Sequence, residues 1–423
     1  MQESTAYKVP VDYHIVLCIC AYLVVLGLVL ASPVQIAKGY YKILTSRSVL
    51  VTDYIALAGV GATLVNAAST GLFYLILLIA YKTQPSGRII LALFLTIGFS
   101  LFGKNMCNSL PIFFGVWLHA KAVKAKFSGF LVHAMLGGTV SPLVSEIAFL
   151  DKSISPVKIL AACGVGLFVG FIFPVIMEAA KRMHRGYCLY NGGTAGGFIA
   201  TFFVGILYAV GIDVRPENFW DSGHTVFLAF FAYILAAALI IYGIFKDRPT
   251  EAFRKFRQLL KEKDVNDNDY LIKYEATCYI NIGLMCMLST SLMLLMKIPI
   301  NGPVLGGIFT VTGFAAAGKH LKNTIPVLLG SIAGAYFNFI DPNASVNSLA
   351  ILFSTGLAPI SGKHGWYWGF AAGFIHVLVA VIIGNLNGGL NLYNNGFAGS
   401  FVAITVVPLI VFLKELFIKP KNQ

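Results

Sequence analysis

Two short polar stretches interrupt the apolar sequence at corresponding places in the chain. "GKNMCNSLP" begins at Gly103, and "GKHLKNTIP" begins 215 residues later at Gly318. Asn-Ser or Asn-Thr before a proline is typical of a helix start, because short polar side chains cap free N–H groups and proline fits the first turn. A helix start attracts anions and carbonyl oxygens. The pattern predicts that a solute is bound by polar residues of both stretches, namely Asn105, Asn108, Ser109, Asn323 and Thr324.

Each polar stretch also carries a lysine directly after its first glycine, Lys104 in one and Lys319 in the other. These lysines could bring positive charge to the same solute. Alternatively, the stretches are interfacial turns from which the two side chains extend to lipid headgroups.

A second pair of related segments lies further along the chain. "LYNGGTAGGFIA" begins at Leu189, "LYNNGFAGSFVA" begins at Leu392, and eight of the twelve positions are identical. The small residues allow helices to approach closely. Packing does not explain the polar residues of the motif, which we expect to cap a helix or to hydrogen-bond a solute: Tyr190, Asn191, Tyr393 and Asn394.

Isolated ionisable residues are the third group with chemical potential. Glu146 lies in an apolar stretch with no obvious partner, and buried carboxylates in membranes often mark ion or proton paths. It is therefore the candidate for ion or proton coupling, and His133 is a weaker candidate for proton relay.

Motifs of soluble enzymes are missing from the chain. The seven cysteines are scattered without metal-ligand spacing, and there is no phosphate-binding loop, G-x-S-x-G or H-E-x-x-H. We expect no metal, no cofactor and no enzymatic activity.

The composition is that of a membrane protein. Of 423 residues, 57% are hydrophobic and 12% charged, and the mean hydropathy is +0.79; soluble domains are about 25% charged. Apolar runs long enough to cross about 30 Å of hydrocarbon recur along the chain. The net charge of +13 is explained by basic loops that face anionic lipid, so a nucleic-acid partner is not expected.

These runs predict an all-α polytopic protein with about fourteen membrane segments, some of which could be half-helices or re-entrant. The segments are 13–32, 54–81, 88–103, 106–120, 128–149, 157–179, 190–210, 224–245, 274–296, 303–317, 323–340, 345–361, 366–386 and 396–414.

The basic residues predict the orientation of the chain in the cell membrane. With the N- and C-termini both in the cytoplasm, most Lys and Arg fall in cytoplasmic loops. The loop that begins at Asp341 is then outside and acidic. Lys38, Lys42 and Arg47 fall on the wrong side, which is the main cost of this orientation.

The paired motifs predict an internal duplication. The segment from Phe94 to Pro111 aligns without a gap with the segment 215 residues later. Because each copy has seven segments, an odd number, the second copy enters the membrane from the opposite face. The predicted organisation is a first repeat at 13–210, a connection and the first span of the second repeat at 211–245, a cytoplasmic amphipathic loop at 246–273, and the rest of the second repeat at 274–414. Solute sites lie at the interface of such inverted repeats.

Three motifs together, "LYNGGTAGGF", "GKHLKNTIP" and "APISGKHG", resemble a bacterial family of multispanning membrane proteins known as a domain of unknown function. The likeness covers most of the chain and implies no substrate. Two inverted seven-segment repeats with half-helices are also similar in architecture to nucleobase and anion transporters, and the proline-marked pairs to urea channels.

The leading hypothesis is a transporter of a small polar or anionic solute, coupled to H⁺ or Na⁺, with its site between the two repeats. The alternatives are a passive, urea-like channel, and an intramembrane enzyme or a subunit of a membrane complex. The expected partners are the solute or ion and the lipid bilayer, and the sequence is compatible with a homo-oligomer.

Overall fold

The structure is a computed structural model, and it describes residues 8–150, 154–216, 218–263, 268–337 and 345–417. Over these residues the chain is helical, with isolated β-bridges as the only extended pairings. The predicted acidic loop at Asp341 lies outside the described residues.

The first half of the chain forms ten α-helices, and a 3₁₀ turn at Gly138–Val140 separates α7 from α8. The helices are α1 Val11–Leu30, α2 Pro33–Leu44, α3 Tyr54–Ala58, α4 Val60–Ala80, α5 Gly87–Phe99, α6 Met106–Ala122, α7 Leu131–Gly137, α8 Ser141–Ala148, α9 Pro156–Met183 and α10 Asn191–Ala209.

The second half forms ten more, and a 3₁₀ turn at Thr355–Leu357 separates α17 from α18. The helices are α11 Thr225–Asp247, α12 Pro249–Leu259, α13 Tyr270–Tyr274, α14 Thr277–Leu295, α15 Gly302–Phe314, α16 Leu321–Phe337, α17 Ser345–Ser354, α18 Ala358–His364, α19 Trp366–Leu386 and α20 Asn394–Phe417.

Within the described residues, nine helical segments are long and apolar enough to cross a membrane. They are Val11–Leu30, Val60–Ala80, Phe127–Ala148, Pro156–Met183, Asn191–Ala209, Thr225–Asp247, Thr277–Leu295, Trp366–Leu386 and Asn394–Phe417. A helix of about 20 residues is about 30 Å long, the thickness of the hydrocarbon core. The protein is therefore an all-helical, multi-pass membrane protein.

Two shorter helices form the centre of the molecule. Helices α5 and α15 each have 13 residues; every residue of α15 is buried, and so is every residue of α5 except Arg88. A Cβ added to Gly98 would lie 3.0 Å from the Gly306 carbonyl oxygen, and one added to Gly313 would lie 3.2 Å from Leu91 Cα. Moving towards the start of α5 thus means moving towards the end of α15, so the two helices are antiparallel.

Glycines also bring the long helices into backbone contact. A Cβ at Gly170 of α9 would lie 2.0 Å from the Ile112 carbonyl oxygen of α6. At Gly373 of α19 it would lie 2.0 Å from the Val327 carbonyl oxygen of α16. Both crossings exclude any side chain at the contact, which fixes α6 on α9 and α16 on α19.

The two faces of the molecule lie at the opposite ends of α4. The segment before Gly59 lies at its beginning, and Ser86 follows its end at Ala80. We call the face with Ser86, α12 and α13 the α12 face, because Asp269, just before α13, accepts hydrogen bonds from Gly87 N at 2.8 and 3.0 Å. Helix α12 lies within the predicted amphipathic loop, and its Phe253 side chain is exposed.

Candidate solute-binding site

The chain breaks its helical path after α5 and again after α15. The break carbonyls are held by asparagine side chains of α4 and α14. Asn66 Nδ2 donates to the Ser100 oxygen at 2.7 Å and the Lys104 oxygen at 2.9 Å. Asn281 Nδ2 donates to the Ala315 oxygen at 2.8 Å and the Lys319 oxygen at 2.7 Å. The two breaks therefore have the same internal support.

A glycine with positive φ turns the chain at each break, Gly103 at 79° and Gly318 at 104°. A Cβ at Gly103 would lie 2.2 Å from a Leu392 methyl carbon, and one at Gly318 would lie 2.9 Å from a Leu189 methyl carbon. Glycine is required there by conformation and by space. The glycine that opens each polar stretch thus packs under the first residue of a Leu-Tyr-Asn motif.

The asparagines of the polar stretches cap helices. Asn105 and Asn108 form a reciprocal capping box, with side chain-to-backbone distances of 2.8 and 3.0 Å. Asn323 pairs with His320 in the same way, at 2.9 and 3.3 Å. Nδ2 of Asn108 donates to the Gly103 oxygen at 2.9 Å, and Nδ2 of Asn323 to the Gly318 oxygen at 3.0 Å.

The predicted position of the helix starts was wrong. Helix α6 begins at Met106 and α16 at Leu321, so both prolines, Pro111 and Pro326, lie inside the helices. The caps are one turn earlier than proline suggests, because the asparagine pair satisfies the first N–H groups. Ser109 Oγ donates to the Asn105 oxygen at 2.6 Å, and Thr324 Oγ1 to Asn323 Oδ1 at 3.1 Å. Their contact with a solute stays a prediction.

Both break lysines are fully buried, with 0% exposure for Lys104 and Lys319. The alternative in which they extend to headgroups is therefore wrong. Lys104 Nζ donates to the Met135 oxygen at 3.1 Å and lies 5.2 Å from the Tyr74 ring centroid. Neither ammonium group has a carboxylate partner within the described parts of the chain.

Lys319 has a different set of partners from Lys104. Its Nζ donates to the Tyr190 hydroxyl and, at 2.8 Å, to Thr355 Oγ1. The same group lies 4.5 Å from the Tyr190 ring centroid and 4.9 Å from that of Phe314. Hydroxyl oxygens and ring faces replace the missing counter-ion.

The two Tyr-Asn motifs meet at the centre. The rings of Tyr190 and Tyr393 have centroids 4.6 Å apart; Tyr190 also packs on Phe314 at 4.8 Å, and Tyr393 on Phe99 at 5.3 Å. A Cβ at Gly193 would lie 2.9 Å from Gly396 Cα. The glycines are thus used for packing, as expected, and they bring the two tyrosines together.

Each motif is anchored in the opposite half of the chain. Leu189 N donates to the Gly356 oxygen at 2.9 Å, and Leu392 N donates to the Thr139 oxygen at 2.8 Å. Both acceptors belong to the 3₁₀ turns that interrupt the helical segments α7–α8 and α17–α18. The starts of α10 and α20 are therefore coupled to interrupted helices.

A cavity of about 300 Å³ leads from the α12 face to this centre. We call it the entrance cavity. Ser86, Arg88 and Asn268 lie at its mouth, and Leu189, Phe314 and Tyr393 line its inner end. It is also lined by His133, Glu178, Lys181, Cys188, Asn191 and Gly192.

The predicted site residues divide between this cavity and the surrounding structure. Asn191, Tyr393 and His133 line the entrance cavity, and His133 Nε2 is 4.0 Å from Glu178 Oε1. The other predicted residues do not line it: Lys104, Asn105, Asn108, Ser109, Glu146, Tyr190, Lys319, Asn323, Thr324 and Asn394.

The opposite face is covered at the corresponding place. Phe219 N donates to the Val51 oxygen and Asp53 N to the Phe219 oxygen, both at 2.9 Å. Asn301 Nδ2 donates to the Asp221 oxygen at 2.9 Å. Asn394, the counterpart of Asn191, is only 5% exposed.

Asp53 ties this covering segment to α3. Its carboxylate accepts from Asp221 N at 3.0 Å and from Ile55 N at 2.9 Å. Burial raises the pKa of Asp53 to about 6, although these N–H groups favour the charged form and oppose the shift.

Glu146 has a partner that sequence reasoning missed. Arg47 holds its carboxylate in a bidentate pair, with Nε and Nη2 both at 2.7 Å. Arg47 is 99 residues away and was counted only as a charge on the wrong side of the membrane. The pair gives both residues a structural role, and ion coupling by Glu146 stays a prediction.

Asp53 and Asp269 were also missed. Both cap short helices, α3 and α13, and each is followed directly by a tyrosine. The Asp-Tyr pairs recur 216 residues apart, which was the available signal. Among the described residues, no group of three His, Cys, Asp or Glu could hold a metal ion.

Comparisons with known proteins identify a family without assigning an activity. No curated protein matches the chain, and no solved structure matches it. One family model matches residues 32–209 and 248–412, which is most of the sequence. The chain therefore belongs to the family described as Protein of unknown function (DUF1576).

Proposed function

We propose that the protein transports a small polar or anionic solute across the cell membrane by alternating access at the interface of two inverted repeats. One observation carries this proposal. The entrance cavity opens at the α12 face and ends at the Tyr190–Tyr393 contact, while the opposite face is covered by residues 218–221. A one-sided cavity favours a transporter over the passive channel considered from the sequence.

The proposal of two inverted repeats is supported by the contacts of α5 and α15. A shift of 215 residues turns Leu91 into Gly306 and Gly98 into Gly313. The Gly98–Gly306 contact therefore becomes the Leu91–Gly313 contact, and both are present. An antiparallel pair that maps onto itself in this way is expected when a two-fold axis lies in the membrane plane.

The exchange of Leu189 and Leu392 between the halves supports a coupled motion. Each leucine donates its N–H to a 3₁₀ turn of the other half. If one half changes its tilt, it moves the start of a helix in the other half. Such coupling allows one face to open as the other closes.

An anionic solute is supported by the charges around the cavity and behind it. Arg88 and Lys181 line the cavity. Lys319 lies behind its Phe314 wall, with no carboxylate partner among the described residues. Intramembrane charges without a protein partner are costly and typically functional.

Coupling to H⁺ or Na⁺ belongs to the same proposal. His133 and Glu178 both line the entrance cavity and lie 4.0 Å apart, so they are accessible from the α12 face. In the proposed orientation the α12 face and both chain termini are cytoplasmic, because the basic residues concentrate there.

Alternating access can be tested without knowing the solute. In a full-length chain whose seven cysteines are replaced by alanine or serine, Asn191→Cys and Asn394→Cys are introduced singly and together. Membrane vesicles of known sidedness are then treated with a membrane-impermeant thiol reagent. Cysteine at 191 should label from the α12 face and cysteine at 394 from the other.

In the double variant, labelling of one cysteine with a bulky reagent should prevent labelling of the other. Simultaneous labelling of both in one molecule would indicate a continuous channel. Failure of the cysteine at 394 to label from either face would show that the opposite-facing state does not form. A cysteine at Gly205, which has open space around it, controls for reaction through lipid.

A further inference from the structure

Unpartnered polar groups converge at the inner end of the entrance cavity. Tyr393 is 1% exposed, and its hydroxyl has no hydrogen-bond partner in the part of the chain that the structure describes. The buried side-chain oxygen of Asn191 has none either. Buried polar groups in proteins are generally paired, and each one left unpaired costs about 1–3 kcal/mol. A ligand that enters this cavity is therefore expected to supply partners for both.

The charges of the cavity select an anion. Arg88 and Lys181 contribute two positive charges, and Glu178 is the one carboxylate among the described lining residues, which leaves an excess of one positive charge. Asn191 and Gly192 of the lining are the first residues of the 19-residue helix α10, whose first-turn N–H groups lack helical partners. The Tyr393 hydroxyl can donate to the same oxygens.

The Asn191 oxygen requires something that an anion alone lacks. A carbonyl oxygen only accepts hydrogen bonds, and so does a carboxylate. The ligand must therefore also carry an O–H or N–H group. An ammonium group would add a second charge to a cavity that is already positive, so a neutral hydroxyl fits better.

Volume and wall chemistry limit the rest of the molecule. About 300 Å³ corresponds to about ten water molecules at about 30 Å³ each. Ile89, Leu136 and Phe314 provide an apolar wall. A short branched or straight aliphatic group fits this space better than a sugar or a nucleobase does.

We propose that the entrance cavity binds a small hydroxycarboxylate. Its carboxylate accepts from the Tyr393 hydroxyl and the first turn of α10, with Lys181 and Arg88 nearby, and its hydroxyl donates to Asn191 Oδ1. This assignment rests on the proposed transport function, since it names the solute of the same site. It joins Asn191 of one motif to Tyr393 of the other.

Four matched probes test the chemistry by calorimetric titration of the purified full-length protein in detergent. They are 2-hydroxy-4-methylpentanoate, 4-methylpentanoate without the hydroxyl, 2-hydroxy-4-methylpentanamide without the charge, and leucine with an ammonium group in place of the hydroxyl. The hydroxycarboxylate should bind most tightly. Loss of the hydroxyl or of the charge should each weaken binding at least about tenfold. Equal binding of the first two probes, stronger binding of leucine, or no binding of any probe would overturn the assignment.

Variants test the residues. Tyr393→Phe and Lys181→Gln should each weaken binding of the hydroxycarboxylate about tenfold or more. Arg182→Gln, one residue further along and exposed outside the cavity, should leave it unchanged. Wild-type affinity in both Tyr393→Phe and Lys181→Gln would place the ligand elsewhere. Alternating thiol labelling without binding would reject the solute class but keep the transporter, and binding without alternation would do the reverse.

Discussion

Tyr190 and Tyr393 occupy equivalent positions in the two motifs but have different neighbours. The Tyr190 hydroxyl accepts from the Lys319 ammonium and lies 3.0 Å from Thr355 Oγ1. The Tyr393 hydroxyl has no partner among the described residues. Lys104, the counterpart of Lys319, instead donates to the Met135 oxygen. One tyrosine thus satisfies a buried charge, while the other remains available to a ligand.

This difference predicts opposite effects of the same substitution. Tyr190→Phe should destabilise the protein by about 1–3 kcal/mol, because it removes a partner of the buried Lys319 ammonium. Tyr393→Phe should change the stability by less than about 0.5 kcal/mol, because no hydrogen bond is lost. Thermal unfolding of both variants in the same detergent measures the difference. Equal midpoints would show that the Tyr190–Lys319 contact contributes nothing to stability.

At this scale the sequence predicted residue types better than residue partners. The two tyrosines and two lysines were found because their motifs recur. Arg47 was not matched to Glu146, because 99 residues separate them and no local spacing encodes the contact. Asn66 and Asn281 were interpreted as interhelical hydrogen bonds, and only the fold reveals that they hold the break carbonyls.

Helices cross at glycines whose backbones touch, and neighbouring glycines in one helix differ sharply in this respect. In α9, a Cβ at Gly170 would lie 2.0 Å from the Ile112 oxygen, whereas one at Gly164 would meet nothing within 4 Å. The first glycine is required by packing. The second faces open space.

We therefore expect Gly170→Ala and Gly164→Ala to separate cleanly. The methyl group at 170 must push α9 away from α6, a type of overpacking that costs about 1–3 kcal/mol. At 164 it should leave stability unchanged or raise it by up to about 1 kcal/mol, through helix propensity. Unfolding midpoints and the monodisperse yield in detergent report both effects. If Gly170→Ala proved as stable as wild type, the α6–α9 crossing described here would be wrong.

The elements were predictable where hydropathy alone decides. Each of the fourteen predicted segments falls on described helix, but four helices lay outside them. Helices α2 and α12 are amphipathic rather than continuously apolar, and α13 and α18 are too short for a span window. The 3₁₀ turn at Gly138–Val140 was also missed, because an apolar run looks the same with or without a local change in hydrogen bonding.

For the whole molecule, the central question is how the two halves are related. The antiparallel contact of α5 with α15 and the exchanged leucines fit an inverted pair. Two lysines offer a direct probe of that relation. Lys82 and Lys297 are 215 residues apart, both are exposed, and both follow a long helix with positive φ, at 52° and 57°.

An inverted relation places these two lysines on opposite faces. Lys82→Cys and Lys297→Cys, each in the cysteine-free chain, should react with an impermeant thiol reagent from opposite sides of oriented vesicles. Arg254→Cys in α12, exposed on the α12 face, should label with Lys82→Cys and serves as the reference. Labelling of the cysteines at 82 and 297 from one side would mean that the halves are parallel. Alternating access would then need an axis along the membrane normal, and the route between Asn191 and Asn394 would have to be redrawn.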